Sequence, residues 1–399
     1  MTDKPFKRDL VHTLVSRLRE PRRFMQVVMG PRQTGKTTAV TQALDELKLK
    51  RHFALASVGS ESSQDWLRAQ WEQARILASQ NPQQPVLLIL DEVQLVSQWS
   101  GVVKALWDED TLNNVNIRVV LSGSSALLLQ QGLREALTGR FELIHSQQWD
   151  FSECQAAFGL TLDEYLFYGG YPGALPLRED RQRWLDYMRN SIIGPSVLRD
   201  AVATRGITKP ALMESLFALG AAYSAQELSY RKIMGQLDDA GNATTIAHYL
   251  QALSDAGLLT GIQKYTGNPL RTRSSSPRLL VHDTALMVAE SGTARSRLLD
   301  DPVLRGHLVE SAVGAYLLRR GTREGFTVNW WRDKHGNEVD FVISDAHSHT
   351  AIEVKSGRIR RTGGLSAFAA AFPETKTLVI GSAASPLEDF LSGKIDLFA

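Results

Sequence analysis

The sequence contains a single cysteine, Cys154, in 399 residues. That excludes an intramolecular disulfide and a cysteine-based zinc site, and it favours a reducing, cytoplasmic setting. Long apolar runs are also missing: no stretch approaches the ~20 apolar residues of a membrane span, so no membrane partner is expected. The first residues, "MTDKPFKRDLVHTLVSRL", carry basic side chains with no long apolar segment behind them and do not read as a secretion signal. Charge of one sign is scarce. A net charge of +2 provides no general attraction to nucleic acid, so DNA contact has to rest on local clusters. An apolar fraction of 43% and a charged fraction of 22% exclude a large disordered region. At this length, two or three packed domains are expected.

What is present begins with "QVVM", a strand-like apolar run, followed by "GPRQTGKT" and the helical "TTAVTQALDELK". Gly30, Gly35, Lys36 and Thr37 satisfy G-x-x-x-x-G-K-[ST] between a strand and a helix, the context the motif requires. Residues Gly30, Pro31, Arg32, Gln33, Thr34, Gly35, Lys36, Thr37 and Thr38 are therefore expected to cradle ATP. Backbone N–H groups curl around the phosphates, Lys36 reaches the β/γ oxygens, and the Thr37 hydroxyl ligates Mg2+. A second run, "PVLLILDEVQ", ends in Asp91 and Glu92, which places both carboxylates at the C-terminal end of a buried strand. Asp91 is predicted to hold Mg2+ directly or through water, and Glu92 to orient and deprotonate the attacking water. The alternative is two acids capping a helix. In "IRVVLSGSS", Ser122 or Ser124 can present a hydroxyl between the carboxylates and the γ-phosphate. Arg134 and Arg140 follow in "GLREALTGRFELIH", either as surface residues or as an arginine that reaches a neighbour's ATP.

The succession "GPRQTGKT", "LLILDEVQ", "VVLSGSS", "LTGRFE" and "YGGYP" resembles a large group of prokaryotic AAA-type ATPases related to the archaeal ATPases. Many of these carry a C-terminal region known as domain of unknown function 4143. The resemblance implies an α/β P-loop ATPase core, Arg140 as arginine finger or sensor, and assembly into a homo-oligomeric ring, a hexamer being one form. "SQQWDFSEC" departs from the group, whose members tend to carry a more apolar, proline-containing segment there.

Beyond the core, the pattern predicts an ATPase core over 1–150, a helical lid over 151–206, a winged helix over 207–282 and a nuclease-like α/β domain over 283–399. "YGGYPG" lacks the Lys-Thr tail of a phosphate loop and reads as a turn between helices. In the winged helix, Ile246, Tyr249, Leu250 and Leu253 form the apolar face of the second helix. Asn242, Thr244, Thr245 and His248 at its start face a DNA groove, or the module is a protein contact. Lys264, Arg271, Arg273 and Arg278 are expected in a phosphate-tracking wing or a solvated loop. Further on, "RGHLVESAVGAYLLRRG" reads as a helix bearing Glu310, with Leu308, Val309, Ala312, Val313, Tyr316 and Leu317 inward. "TVNWWRD", "EVDFVIS" and "TAIEVKS" read as three strands. Alternation sets Glu353 and Lys355 on one face, with Val354 buried behind them. With Asp340 and Glu310 they resemble the PD-(D/E)XK fold of Holliday-junction resolvases and restriction endonucleases. In that reading Asp340 and Glu353 hold a second Mg2+, Lys355 positions water, and Arg358, Arg360 and Arg361 grip a backbone. The competing readings are a domain that binds without cutting, and an ordinary Glu353–Lys355 ion pair.

Overall fold

In the computed structural model of the protein, the described residues are 6–57, 63–123, 129, 132–133, 136–201, 207–267, 276–357 and 363–398. Ser124, Arg134, Arg271, Arg273, Arg358, Arg360 and Arg361 lie outside them. The chain divides into two units, Met1–Gln147 and Gln148–Ala399.

The first unit is built on strands β1 (Met25–Met29), β2 (Arg51–Leu55), β3 (Val86–Asp91), β4 (Ile117–Gly123) and β5 (Phe141–His145). They pair in parallel in the order β2-β3-β4-β1-β5. A parallel sheet needs cover on both faces, which is why β1 and β3 are apolar at nearly every position. Their side chains alternate between two cores. Val28, Leu87, Ile89 and Val120 pack with helices α1 (Asp9–Arg19) and α2 (Lys36–Leu47). Val27, Leu88, Leu90 and Leu121 pack on the other side with α3 (Gln64–Ser79) and α4 (Trp99–Leu112). The buried Asp110 ties α4 to α3, accepting from Trp71 Nε1 at 2.7 Å and Arg75 Nε at 2.8 Å.

In the second unit, helices Phe151–Phe158, Leu162–Tyr168 and Arg181–Tyr187 come first, continuing into π-helical turns at Met188–Ile193 and Ser196–Ala201. Next come helix Pro210–Ala222, strand β6 (Gln226–Glu227), helices Tyr230–Gln236 and Ala243–Asp255, and strands β7 (Leu259–Ile262) and β8 (Arg278–Val281). These strands form an antiparallel sheet in the order β6-β8-β7. Ile246, Tyr249, Leu250 and Leu253 are buried as expected, while Asn242, Thr244 and His248 are exposed. Asn242 caps its helix, accepting from Thr245 N at 2.9 Å.

After helices Thr284–Ser291 and Arg295–Asp300, the 23-residue helix Pro302–Glu324 precedes β9 (Thr327–Arg332), β10 (Glu338–Ser344), β11 (His349–Val354), helix Gly363–Ala371 and β12 (Lys376–Ile380). The sheet order is β12-β11-β10-β9, with β11 and β12 parallel and the other pairs antiparallel. All six apolar residues expected to face inward from the long helix are buried.

Of the basic stretch, the two described residues, Lys264 and Arg278, differ from the expectation of a wing or solvated loop. Lys264 forms a bridge to Trp330 of β9, and Tyr265 N donates to the Trp330 carbonyl. Arg278 is buried, drawn inward by carboxylates described below. Val354, expected to be buried, is half-buried because it ends its strand.

The "YGGYP" turn is explained by close packing. Gly169 ends its helix at φ +66°, and a Cβ there would stand 1.8 Å from Asp283 Oδ1. Asp283 accepts from Gly170 N at 2.8 Å and Ala285 N at 2.9 Å. Beside it, Arg319, with 4% of its side chain exposed, donates to Asp150 (2.9 Å), the Tyr165 hydroxyl (2.9 Å) and the His282 carbonyl (3.1 Å).

Burial, with the Arg319 charge added, pushes His282 down to about 4. Burial raises Asp283 to about 6 despite Arg319 and the two N–H donors. A histidine with a depressed folded pKa loses stability as pH falls from its ordinary value of 6.5 toward 4. Asp283 acts oppositely, its share being lost as pH rises from 3.8 to 6. Relative to His282→Gln, the wild type should therefore lose about 2 kcal/mol between pH 7 and pH 5, read from urea midpoints. An equal stability difference at both pH values would remove His282 as the source.

Candidate functional site

The phosphate loop leaves β1 at Met29 and closes at Gly35, whose φ of +85° starts α2 in a conformation that favours glycine. Gly30 is needed for a different reason: a Cβ there would lie 1.8 Å from the Ser146 carbonyl oxygen. The buried Thr34 hydroxyl donates toward that same oxygen at 3.0 Å and lies 3.1 Å from the Pro31 carbonyl. Arg8 donates to the carbonyls of Thr34 (3.2 Å) and Gln147 (3.0 Å). Lys36 Nζ donates to the carbonyls of Gly30 (2.9 Å) and Pro31 (2.7 Å), which hold the ammonium at the loop. Thr37 and Thr38 are exposed at the start of α2, Pro31 and Arg32 are half-buried, and Gln33 is exposed at φ +60°.

Because β4 lies between β1 and β3, the strand order brings Ser122 between the loop and Asp91. Asp91 and Ser122 are register partners, and the Ser122 hydroxyl donates to Asp91 Oδ1 at 2.6 Å. The Thr37 hydroxyl donates to Asp91 Oδ2 at 3.0 Å. Thr37, Asp91 and Ser122 thus meet at one edge, as their motifs suggested. The set consists of hard oxygen donors suited to Mg2+.

Glu92 follows at φ +55°, and its carboxylate accepts from the Gln94 side-chain amide. The opposite amide orientation would set the Gln94 carbonyl against that carboxylate. Gln94 Oε1 is buried with no hydrogen-bond partner among the described residues, and a Cβ on Gly123 would fall 2.1 Å from it. Sequence reasoning missed Gln94, Gly123, Arg8 and Ser146. The "DEVQ" quartet carried a signal for Gln94, since a long amide two residues beyond the acid can fold back onto it.

Arg140 lies elsewhere. It precedes β5, at the N-terminal edge of the sheet, roughly 15 Å from the loop by the rise of a five-residue strand. Its Nε and Nη2 grip Asp108 at 2.7 and 3.0 Å, and the hydrogen bond holds the Asp108 carboxyl below its ordinary range.

In the second unit, the structure brings Glu310, Asp340, Glu353 and Lys355 together. Asp340 Oδ2 accepts from Val354 N at 2.8 Å, and Lys355 Nζ pairs with Glu353 Oε1. Burial first, then the Asp340 charge, raises both the Glu310 and Glu353 carboxyls. A residue not foreseen here stands among them. Arg278, with 4% of its side chain exposed, donates from Nη1 to Glu310 at 2.7 Å, pairs through Nη2 with Glu338, and lies 3.7 Å from Asp340 Oδ1. Among the described residues, no group of three or more His, Cys, Asp or Glu is arranged to hold a metal. The rear cluster is filled by a guanidinium, and the donor set does not fit the Mg2+ expected there.

The first unit therefore has the fold and motif geometry of a P-loop ATPase. Residues 22–155 match the family described as "AAA domain", and residues 305–389 match "Domain of unknown function (DUF4143)". The chain carries an AAA-type ATPase domain followed by a DUF4143 domain, as the resemblance implied. Residues 159–297 match a further domain of unknown function, DUF8612. An uncharacterised protein of Haemophilus influenzae is 24% identical over 352 residues, 83% of this chain and 82% of that protein. An uncharacterised protein of Mycobacterium tuberculosis is 27% identical over 204 residues, 50% of this chain and 43% of that protein. Among solved structures, the Walker-type ATPase of Pyrococcus abyssi aligns with a TM-score of 0.48 at 14% identity, over 72% of this chain and 96% of that one. The Thermotoga maritima RuvB Holliday junction branch migration motor aligns with a TM-score of 0.32 at 16% identity, over 64% and 89%. Among the described residues, no helix is long and apolar enough to cross a membrane.

Gln94→Ala should lower kcat for ATP roughly tenfold, about 1.4 kcal/mol, with KM unchanged. Gly123→Ala should do the same by pushing the amide off Glu92. If the two variants instead raise KM at constant kcat, the amide acts on nucleotide binding and not on Glu92.

Proposed function

We propose that the protein hydrolyses ATP at the Lys36, Thr37, Asp91, Glu92 and Ser122 edge and acts on DNA as a homo-oligomer. The observation that carries the ATPase half is the convergence of the Thr37 and Ser122 hydroxyls on Asp91 beside the loop. Lys36 exchanges its loop carbonyls for β/γ-phosphate oxygens, while Thr37 and Asp91 hold Mg2+. The metal, when bound, neutralises charge on the phosphate oxygens. Glu92, oriented by Gln94, positions and deprotonates the attacking water. Ser122 reads the γ-phosphate side of the site. Arg140 cannot serve its own nucleotide from the opposite sheet edge, so it acts as a finger on a neighbouring copy, hexamers being one geometry that allows this.

The DNA half rests on the second unit. Helix, short strand, two helices and two strands over 210–281 support a winged helix with Asn242, Thr244 and His248 outward. A helix, three strands, a helix and a fourth strand over 302–380, with Glu310, Asp340, Glu353 and Lys355 clustered, support a nuclease-like domain. In this reading the core spans 1–150, the lid 151–206, the winged helix 207–282 and the rear domain 283–399. The arginine among the carboxylates favours a second reading, a nucleotide-controlled switch whose rear domain binds a partner, over an ATP-gated nuclease.

Arg140→Ala should bind ATP normally and lose about a thousandfold in turnover. Mixing it with Lys36→Ala should restore activity, because one variant supplies the site and the other the finger. Full turnover by Arg140→Ala alone would eliminate the finger. DNA should raise the wild-type rate in a length-dependent, salt-sensitive manner. A rate indifferent to single-stranded, duplex and branched DNA would favour the switch.

A further inference from the structure

We propose that Arg278 is the resident cation of the rear carboxylate cluster, standing in for a divalent metal, and that the cluster binds no Mg2+ or Mn2+ while Arg278 is in place. The inference rests on the nuclease-like reading of this domain and is independent of the ATPase. Three arrangements carry it.

The first is charge. Arg278, Arg332 and Lys355 face Glu310, Glu338, Asp340 and Glu353, leaving little excess negative charge for a dication. Arg332 Nε also donates to Glu338 at 2.9 Å.

The second is access. A cavity of about 610 Å³ opens onto the cluster, lined by Glu227, Lys232, Arg278, Glu310, Glu338 and Asp340. Solvent ions can enter, so what keeps a metal out is the guanidinium and not burial.

The third is attachment. Arg278 belongs to β8, whose partners are β6 and β7, whereas its carboxylates come from the long helix and β10. Arg332 of β9 reaches Glu227 of β6 at 2.6 Å across the same junction. A metal ligated at this place would have to displace a side chain that joins the two sheets. Glu353 Oε2 is buried with no hydrogen-bond partner among the described residues, an oxygen available to a metal once the guanidinium is gone.

Mn2+ binding to the full chain without nucleotide, followed by the spectrum of free Mn2+, tests this. Wild type and Asp340→Asn should bind identically. Arg278→Met, which keeps an apolar stem, should gain a Mn2+ site that disappears again in Arg278→Met/Asp340→Asn. Glu353→Gln provides a second control on the wild-type background, so the test survives if Arg278→Met does not fold. Mn2+ binding by wild type that is lost in Asp340→Asn or Glu353→Gln overturns the proposal, as does a folded Arg278→Met with no added site. Wild-type DNA cleavage abolished by Asp340→Asn would likewise overturn it while leaving the nuclease-like reading intact. Failure of that reading would appear separately, as DNA binding by the full chain that Lys355→Gln leaves unchanged.

Discussion

A charge withdrawn from water must be answered by its surroundings, and much of this molecule is arranged around that requirement. In the second unit, two nearly inaccessible guanidiniums join segments far apart in sequence. Arg319 gathers Asp150, Tyr165 and His282, and Arg278 gathers Glu310, Glu338 and Asp340. Removing a single partner from either group would strand a buried charge, typically a loss of about 3–5 kcal/mol. The first unit treats its central carboxylate differently. Among the described residues, Asp91 is met only by neutral hydroxyls and by the Glu92 N–H, which solvate the carboxylate without pairing it with a cation.

That contrast separates the two acidic clusters chemically. At Asp91, no side-chain cation forms an ion pair with the carboxylate among the described residues, and the neighbouring oxygens are hard donors. At Asp340, positive charge is already supplied by the polypeptide. Two sites that look alike as lists of acids in a sequence therefore differ in what they can recruit.

The ATP loop and the strand ending in Asp91 were legible because their signals are local: a fixed glycine spacing and an uninterrupted apolar run. The inward face of the long rear helix was legible from its period. Arg278 was not, because its partners lie 32 to 62 positions away and only the folded sheets bring them near. In sequence it sits beside Arg271 and Arg273 and looks like one more solvated base. Gln94 was overlooked for the opposite reason. It is adjacent to the acids, but its role depends on an amide orientation set by Glu92 and by the space that Gly123 leaves. Arg140 was visible as a motif residue, whereas its place beside Asp108, at the end of β5 away from the phosphate loop, required the fold.

The wall behind the phosphate loop has a wider consequence. Thr34 leans on Ser146, Arg8 bridges Thr34 to Gln147, and Gln147 is the last residue of the first unit. No slack linker intervenes between the loop and the peptide by which the chain departs. The phosphate loop and the last peptide of the first unit thus share one hydrogen-bonded wall, so Thr34, Arg8 and Ser146 set the shape of both at once.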